Sequence, residues 1–147
     1  MRGAFLMALT LLAAACAQIP PSPQEIEAKN MEPVPGKGVV YVVQNPFGAY
    51  NYAAGLTFDD GTEITTYPMT FYRWVTTPGT HTIESTEGNL NAFIKLQVEA
   101  GKVYYVEHWV TGTYGSTTDA WLGKIDDKIG RQLVETSTLC VVSNPIQ

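Results

Sequence analysis

Between residues 38 and 110 the chain alternates apolar and polar side chains in short runs, and the runs are broken by Gly, Pro or Asp-Gly turn signals. A period of two sends successive side chains to opposite faces, which suits strands and rules against helices. In the clearest run Ala92, Ile94, Leu96 and Val98 face one way while Lys95, Gln97 and Glu99 face the other. Ala54, Leu56 and Phe58 alternate with Thr57 ahead of Asp59-Asp60-Gly61, a sequence suited to a tight hairpin. Runs 62–67 and 69–76 are split by Pro68, Pro78-Gly79 turns the chain into 80–85, and Ala100-Gly101-Lys102 turns it into 103–110. Residues 39–43 are apolar throughout, as a strand covered on both faces must be. The expected fold is all-β, an immunoglobulin-like or prealbumin-like β-sandwich of about seven strands. Residues 111–120 read as a polar loop. Beyond it Leu122, Ile125, Ile129 and Leu133 recur at near-helical spacing, which predicts a short C-terminal helix near 126–133 that Gly130 weakens.

The start of the chain has another character. Met1, Arg2 and Gly3 precede an uncharged run over residues 4–15. Twelve helical residues rise about 18 Å, too little for a bilayer core of about 30 Å, so residues 1–15 fit a signal peptide. The run closes Leu12-Ala13-Ala14-Ala15-Cys16, which resembles a bacterial lipobox with Ala13 where leucine is usual. That resemblance implies a diacylated Cys16 at the mature N-terminus; cleavage beside Cys16 or before Gln18 without lipid is the alternative. Ala17 rather than Asp at the next position implies, by likeness to Gram-negative lipoproteins, the outer membrane facing the periplasm.

Residues 16–37 hold five of the nine prolines and read as a lipidated tether reaching about 70 Å when stretched. The sandwich domain is expected over 38–142, with a tail at 143–147. Inside the tether Ser22-Pro23-Gln24-Glu25 reads as a capping box opening a helix over 23–31. So short a helix persists only if Ile26 and Met31 find something to pack on. Nine Lys and Arg stand against 14 Asp and Glu, a net charge of −5. That balance argues against nucleic-acid partners and gives no attraction to anionic lipid. The membrane is therefore a partner through acyl chains, at about 0.8 kcal/mol per buried CH₂.

Residues able to carry chemistry are few. His81 shares strand parity with Ile83, and His108 with Val106 and Val110, so both are expected to point inward. One function for them is a metal pair completed by Glu84, Glu107 or an aspartate, the core of a metal-dependent envelope enzyme. The other is local hydrogen bonding near a sandwich rim. Their spacing matches no established metal motif, so neither a resident metal nor any other cofactor is expected. Asp59-Asp60 is explained by its turn and Asp126-Asp127 by a helix start. Cys140, set among Leu139, Val141 and Val142, reads as a small apolar residue. No nucleophile elbow or phosphate loop is present, so no catalytic residue is assigned. Aromatic loops make the better case. Phe47, Tyr50 and Tyr52 cluster after the first strand, and Trp109, Tyr114 and Trp121 flank the polar loop. Such rings give large contact area at low entropy cost, suited to an envelope protein or a glycan.

Three segments carry a resemblance: Gly38-Val39-Val40-Tyr41-Val42-Val43, Pro78-Gly79-Thr80-His81 and Ala100-Gly101-Lys102-Val103-Tyr104-Tyr105-Val106. In that order and spacing they resemble a bacterial lipoprotein-type family of unknown function, over roughly residues 38–139. Ile125-Asp126-Asp127-Lys128-Ile129-Gly130 fits its closing segment, whereas Gln44-Asn45-Pro46 stands where an arginine would be expected. The resemblance implies an envelope-exposed β-sandwich and no known reaction. The expected function is thus a non-catalytic binding or scaffolding module.

Overall fold

The computed structural model describes residues 20–44, 53–86, 92–112 and 119–140. Within them the chain runs α1 (Pro23–Ala28), β1 (Gly38–Gln44), β2 (Ala54–Phe58), β3 (Glu63–Thr66), β4 (Thr70–Thr76), β5 (Gly79–Ser85), β6 (Phe93–Val98), β7 (Val103–Thr111), β8 (Asp119–Ile125), α2 (Asp127–Thr136) and β9 (Thr138–Leu139). Two sheets, ordered β8-β7-β1-β4-β9 and β3-β2-β5-β6, form an all-β sandwich. β1 is its central strand, antiparallel to β4 (Val42↔Tyr72) and parallel to β7 (Tyr41↔Tyr105). None of the described helices is long and apolar enough to cross a membrane.

β1 is apolar on both faces because it serves two cores. Val40 and Val42 meet Leu56, Phe58, Trp74, Ile83, Leu96 and Val106 between the sheets. Val39, Tyr41 and Val43 join Phe71, Tyr105, Ala28, Met31 and Val134 under the helices on the outer face. Full burial of such a side chain contributes about 1.5–3 kcal/mol, so this one strand anchors both layers.

The helices form where their caps predict. Ser22 Oγ accepts the Glu25 N–H at 3.1 Å with Pro23 at the first turn, and Asp126 Oδ1 accepts the Ile129 N–H at 3.0 Å. The hairpin at Asp59-Asp60-Gly61 closes through the Phe58 N–H to Thr62 O at 2.9 Å, with Gly61 at φ 86°.

Two expectations change. The tether assigned to 16–37 is shorter, because residues from Pro23 onward belong to the folded body. Tyr41 Oη donates to Ala28 O at 2.6 Å, and Met31 is buried beneath α1 while Ile26 stays exposed. Only residues 17–22 then lie between Cys16 and α1, a reach of about 20 Å at full extension. Residues 119–125, read as loop and approach to a helix, form β8 instead. Leu122 and Ile125, three apart, share a face of a helix but not of a strand. β8 accommodates both because Leu122 joins the core between the sheets and Ile125 the core under the helices, and it pairs with β7 from Tyr105↔Ile125 to Thr111↔Asp119. Of the four residues at helical spacing, only Ile129 and Leu133 lie in α2.

Tyr41 and Tyr105 stack with centroids 5.5 Å apart, yet only one hydroxyl is satisfied. The buried Tyr105 hydroxyl has no hydrogen-bond partner among the described residues, and burial pushes its pKa up to about 12. Tyr105→Phe is therefore expected to raise stability by about 1 kcal/mol, seen as a higher urea midpoint, because it removes an unpaired polar atom. Tyr41→Phe should lower stability by about 1 kcal/mol by removing a buried hydrogen bond, the Ala28 carbonyl keeping only the Met31 N–H. Equal losses in both variants would show that the two hydroxyls are equivalent.

Candidate binding surface at one end of the sandwich

Pairing registers fix which strand ends lie together. β1 ends at Gln44 beside His108 of β7, β7 ends at Thr111 opposite Asp119 of β8, and β2 starts at Ala54 opposite Thr66 of β3. β4 begins beside the end of β1, where the Met69 N–H donates to Gln44 O at 3.2 Å. The ends of β1, β5 and β7 and the starts of β2, β4, β6 and β8 therefore lie around one end of the sandwich. Of the aromatic candidates, Phe47, Tyr50, Tyr52 and Tyr114 fall outside the described residues. Trp109 and Trp121 are brought together as directly opposite partners on β7 and β8. Both stand on the outer face of the sheet, and the Trp121 indole lies across Gly123, where a Cβ would overlap it.

Large apolar side chains are exposed around this end. Trp121 is 53% accessible, Tyr67 52%, Phe93 52% and Met69 49%. Sequence reasoning missed three of the four. Phe93 was findable, since it shares parity with Lys95 and Gln97 on the outer face of β6. Tyr67 and Met69 flank Pro68 in the turn between β3 and β4, and Met69 sits in the left-handed region at φ 61°. Its backbone has a reason to be there, because Met69 O also accepts the Thr138 N–H at 2.9 Å and starts β9.

Beneath this rim His108 ties the two sheets together. It is 0% accessible, with Nε2 2.9 Å from Ser85 Oγ and Nδ1 3.3 Å from Thr66 Oγ1. The Thr66 hydroxyl donates to Ala54 O at 3.1 Å, so it accepts from Nδ1–H, which leaves Nε2 to accept from Ser85. Burial holds the imidazole neutral, with its pKa lowered to about 4. A serine within reach of an imidazole has the spacing of a nucleophile and its base. Here the pair is buried, the base is weak, and a threonine hydroxyl occupies the position where a carboxylate would orient the ring. What the geometry does is cross-link β7 to β3 and β5.

His81 works at the opposite end. Its Nδ1 is 3.1 Å from each Asp59 carboxylate oxygen and its Nε2 2.7 Å from Thr77 O, which clamps the crossover from β4 to β5 onto the β2–β3 hairpin. Trp74 meets the His81 ring edge-on at 5.1 Å and donates to Asp60 Oδ2 at 2.8 Å. Burial works against the Asp60 carboxylate, but hydrogen bonds from Thr62 and Trp74 outweigh it and hold its pKa below the ordinary value. The Pro-Gly-x-His segment thus acts as a corner fastener. His81 and Ser85, the partner of His108, are four residues apart on β5, about 13 Å. The two histidines therefore do not share a site. Among the described residues no three His, Cys, Asp or Glu side chains gather as a metal would need. Cys140 is a half-buried free thiol whose pKa is raised by burial.

The chain matches no family model, and no curated protein matches it.

Proposed function

We propose that this protein is an envelope lipoprotein of the type its segments 38–43, 78–81 and 100–106 resemble, anchored through Cys16 to the outer membrane on its periplasmic side. In this reading it is a non-catalytic binding or scaffolding module whose contact surface is the loop end of the sandwich. The observation that carries the reading is the apolar rim of Tyr67, Met69, Phe93 and Trp121. Large apolar groups exposed near the strand ends of one end of a sandwich, on both sheets and the turn between them, suit an interaction surface. Tyr and Trp suit that use because they offer area with few rotatable bonds to freeze. His108 supports it from below, fixing the ends of β3, β5 and β7 relative to one another.

Met69 supplies a test that separates binding from folding. Leaving a non-glycine residue in the left-handed region costs about 1–2 kcal/mol, so Met69→Gly is expected to hold or raise stability while deleting a rim side chain. Combined with Trp121→Ala, it should reduce the amount of any envelope protein or glycan that co-purifies by tenfold or more, with an unchanged urea midpoint. Full retention by the double variant would overturn the surface. The anchor has its own test, the intact mass of protein recovered from membranes. An acylated species beginning at Cys16 is expected, and an unmodified chain beginning at Cys16 or Gln18 would refute it.

A further inference from the structure

A groove of about 300 Å³ opens between α1, β4 and β9. Gln24 and Glu27 of α1 form one wall, Arg73 of β4 another, and Leu139 and Cys140 a third. Arg73 is held in place from behind. Its guanidinium hydrogen-bonds the Tyr41 hydroxyl, which in turn donates to Ala28 O at 2.6 Å. Among the described residues the guanidinium has no ion-pair partner. The ion pairs among the described residues are Lys29–Glu25, His81–Asp59 and Arg131–Asp127, and none includes Arg73 or Glu27. The Arg73 Nε is buried and has no hydrogen-bond partner among the described residues.

Arg73 lines the groove, and a guanidinium fits a carboxylate with parallel hydrogen bonds. The thiol of Cys140 does not supply the negative charge, because burial raises its pKa and keeps it protonated. Glu27, which also lines the groove, disfavours a ligand that is anionic throughout and offers a partner for a cation. At about 30 Å³ per water, the volume corresponds to about ten water molecules, room for a ligand of similar heavy-atom count. We infer that this groove binds a small zwitterion of the amino-acid class, its carboxylate on Arg73 and its ammonium on Glu27.

Calorimetric titration of the folded chain with L-alanine, acetate and methylammonium tests this. L-Alanine is expected to bind saturably, one per chain and at least tenfold tighter than acetate, with methylammonium weakest. Arg73→Gln should weaken L-alanine and acetate by tenfold or more, and Arg73→Lys, which keeps the charge but loses the fork, by less. Glu27→Gln changes only an exposed helix position, so it should fold normally. It should erase the preference for L-alanine while leaving acetate as tight or tighter. The inference is overturned if L-alanine does not saturate the wild type, if acetate binds it equally well, or if Glu27→Gln keeps the preference.

Discussion

Gly130→Val is expected to lower stability by about 3 kcal/mol and to loosen α2 from the sheet, and even Gly130→Ala should lower it. Helix propensity alone points the other way, since alanine is better than glycine in a helix interior by about 1 kcal/mol. The difference lies in what α2 rests on. A Cβ at residue 130 would overlap Cβ and Cγ of Tyr105. Tyr105 has little freedom to yield, being 1% accessible and stacked on Tyr41 in the central strand. Overpacking a site of this kind costs about 1–3 kcal/mol, enough to outweigh the propensity gain for alanine and to exceed it further for valine, whose branches add to the clash. Urea denaturation followed by circular dichroism gives the loss. Hydrogen exchange over residues 127–136 shows whether α2 opens before the sandwich does. A higher urea midpoint for Gly130→Ala would mean that helix and sheet do not approach this closely.

Gly130 also marks the boundary of what was legible from the chain alone. Local signals carried well: the alternation in β6, the Asp-Gly turn after β2, and the caps at Ser22 and Asp126 each follow from neighbours within four residues. β1 could be read as covered on both faces because every position is apolar. What covers its second face could not, since that requires α1 and α2 to fold back from about 15 residues before it and about 90 after. Gly130 looked like a defect in a helix for the same reason, its purpose lying in Tyr105 25 residues away. β8 was lost because residues 122 and 125, three apart, match a helix face, and a strand can hold both only when each of its faces meets a core, which the sequence around them does not reveal. The candidate site divides similarly. Trp109 and Trp121 were identifiable as aromatic residues flanking a loop, but their opposition depends on a register that no composition reveals. Phe93 was visible as an apolar residue on the polar parity of its strand.

Acidification should destabilise this protein through His108. The imidazole is buried and uncharged, with its pKa lowered from 6.5 to about 4 by loss of hydration. The unfolded chain takes up a proton below about 6.5 and the folded one refuses it until about 4. The stability tied to this group is thus fully present above pH 6.5 and is lost as pH falls toward 4. A displacement of this size corresponds to about 3 kcal/mol, a large share of the 5–15 kcal/mol that holds a typical domain together. Asp60 belongs to another window, because its carboxylate is held below the ordinary 3.8 and contributes its loss only beneath that. Urea unfolding followed by tryptophan fluorescence at pH 7.5 and pH 4.5 isolates the histidine. The wild type is expected to lose about 2–3 kcal/mol between those values. His108→Gln keeps a donor and an acceptor for Thr66 and Ser85 but cannot titrate, so it should start lower at pH 7.5 and lose far less on acidification. Parallel losses in both proteins would mean that the proton goes elsewhere. A protonated His108 can no longer accept from Ser85, so acid should part β5 from β7 first, directly beneath the proposed binding surface.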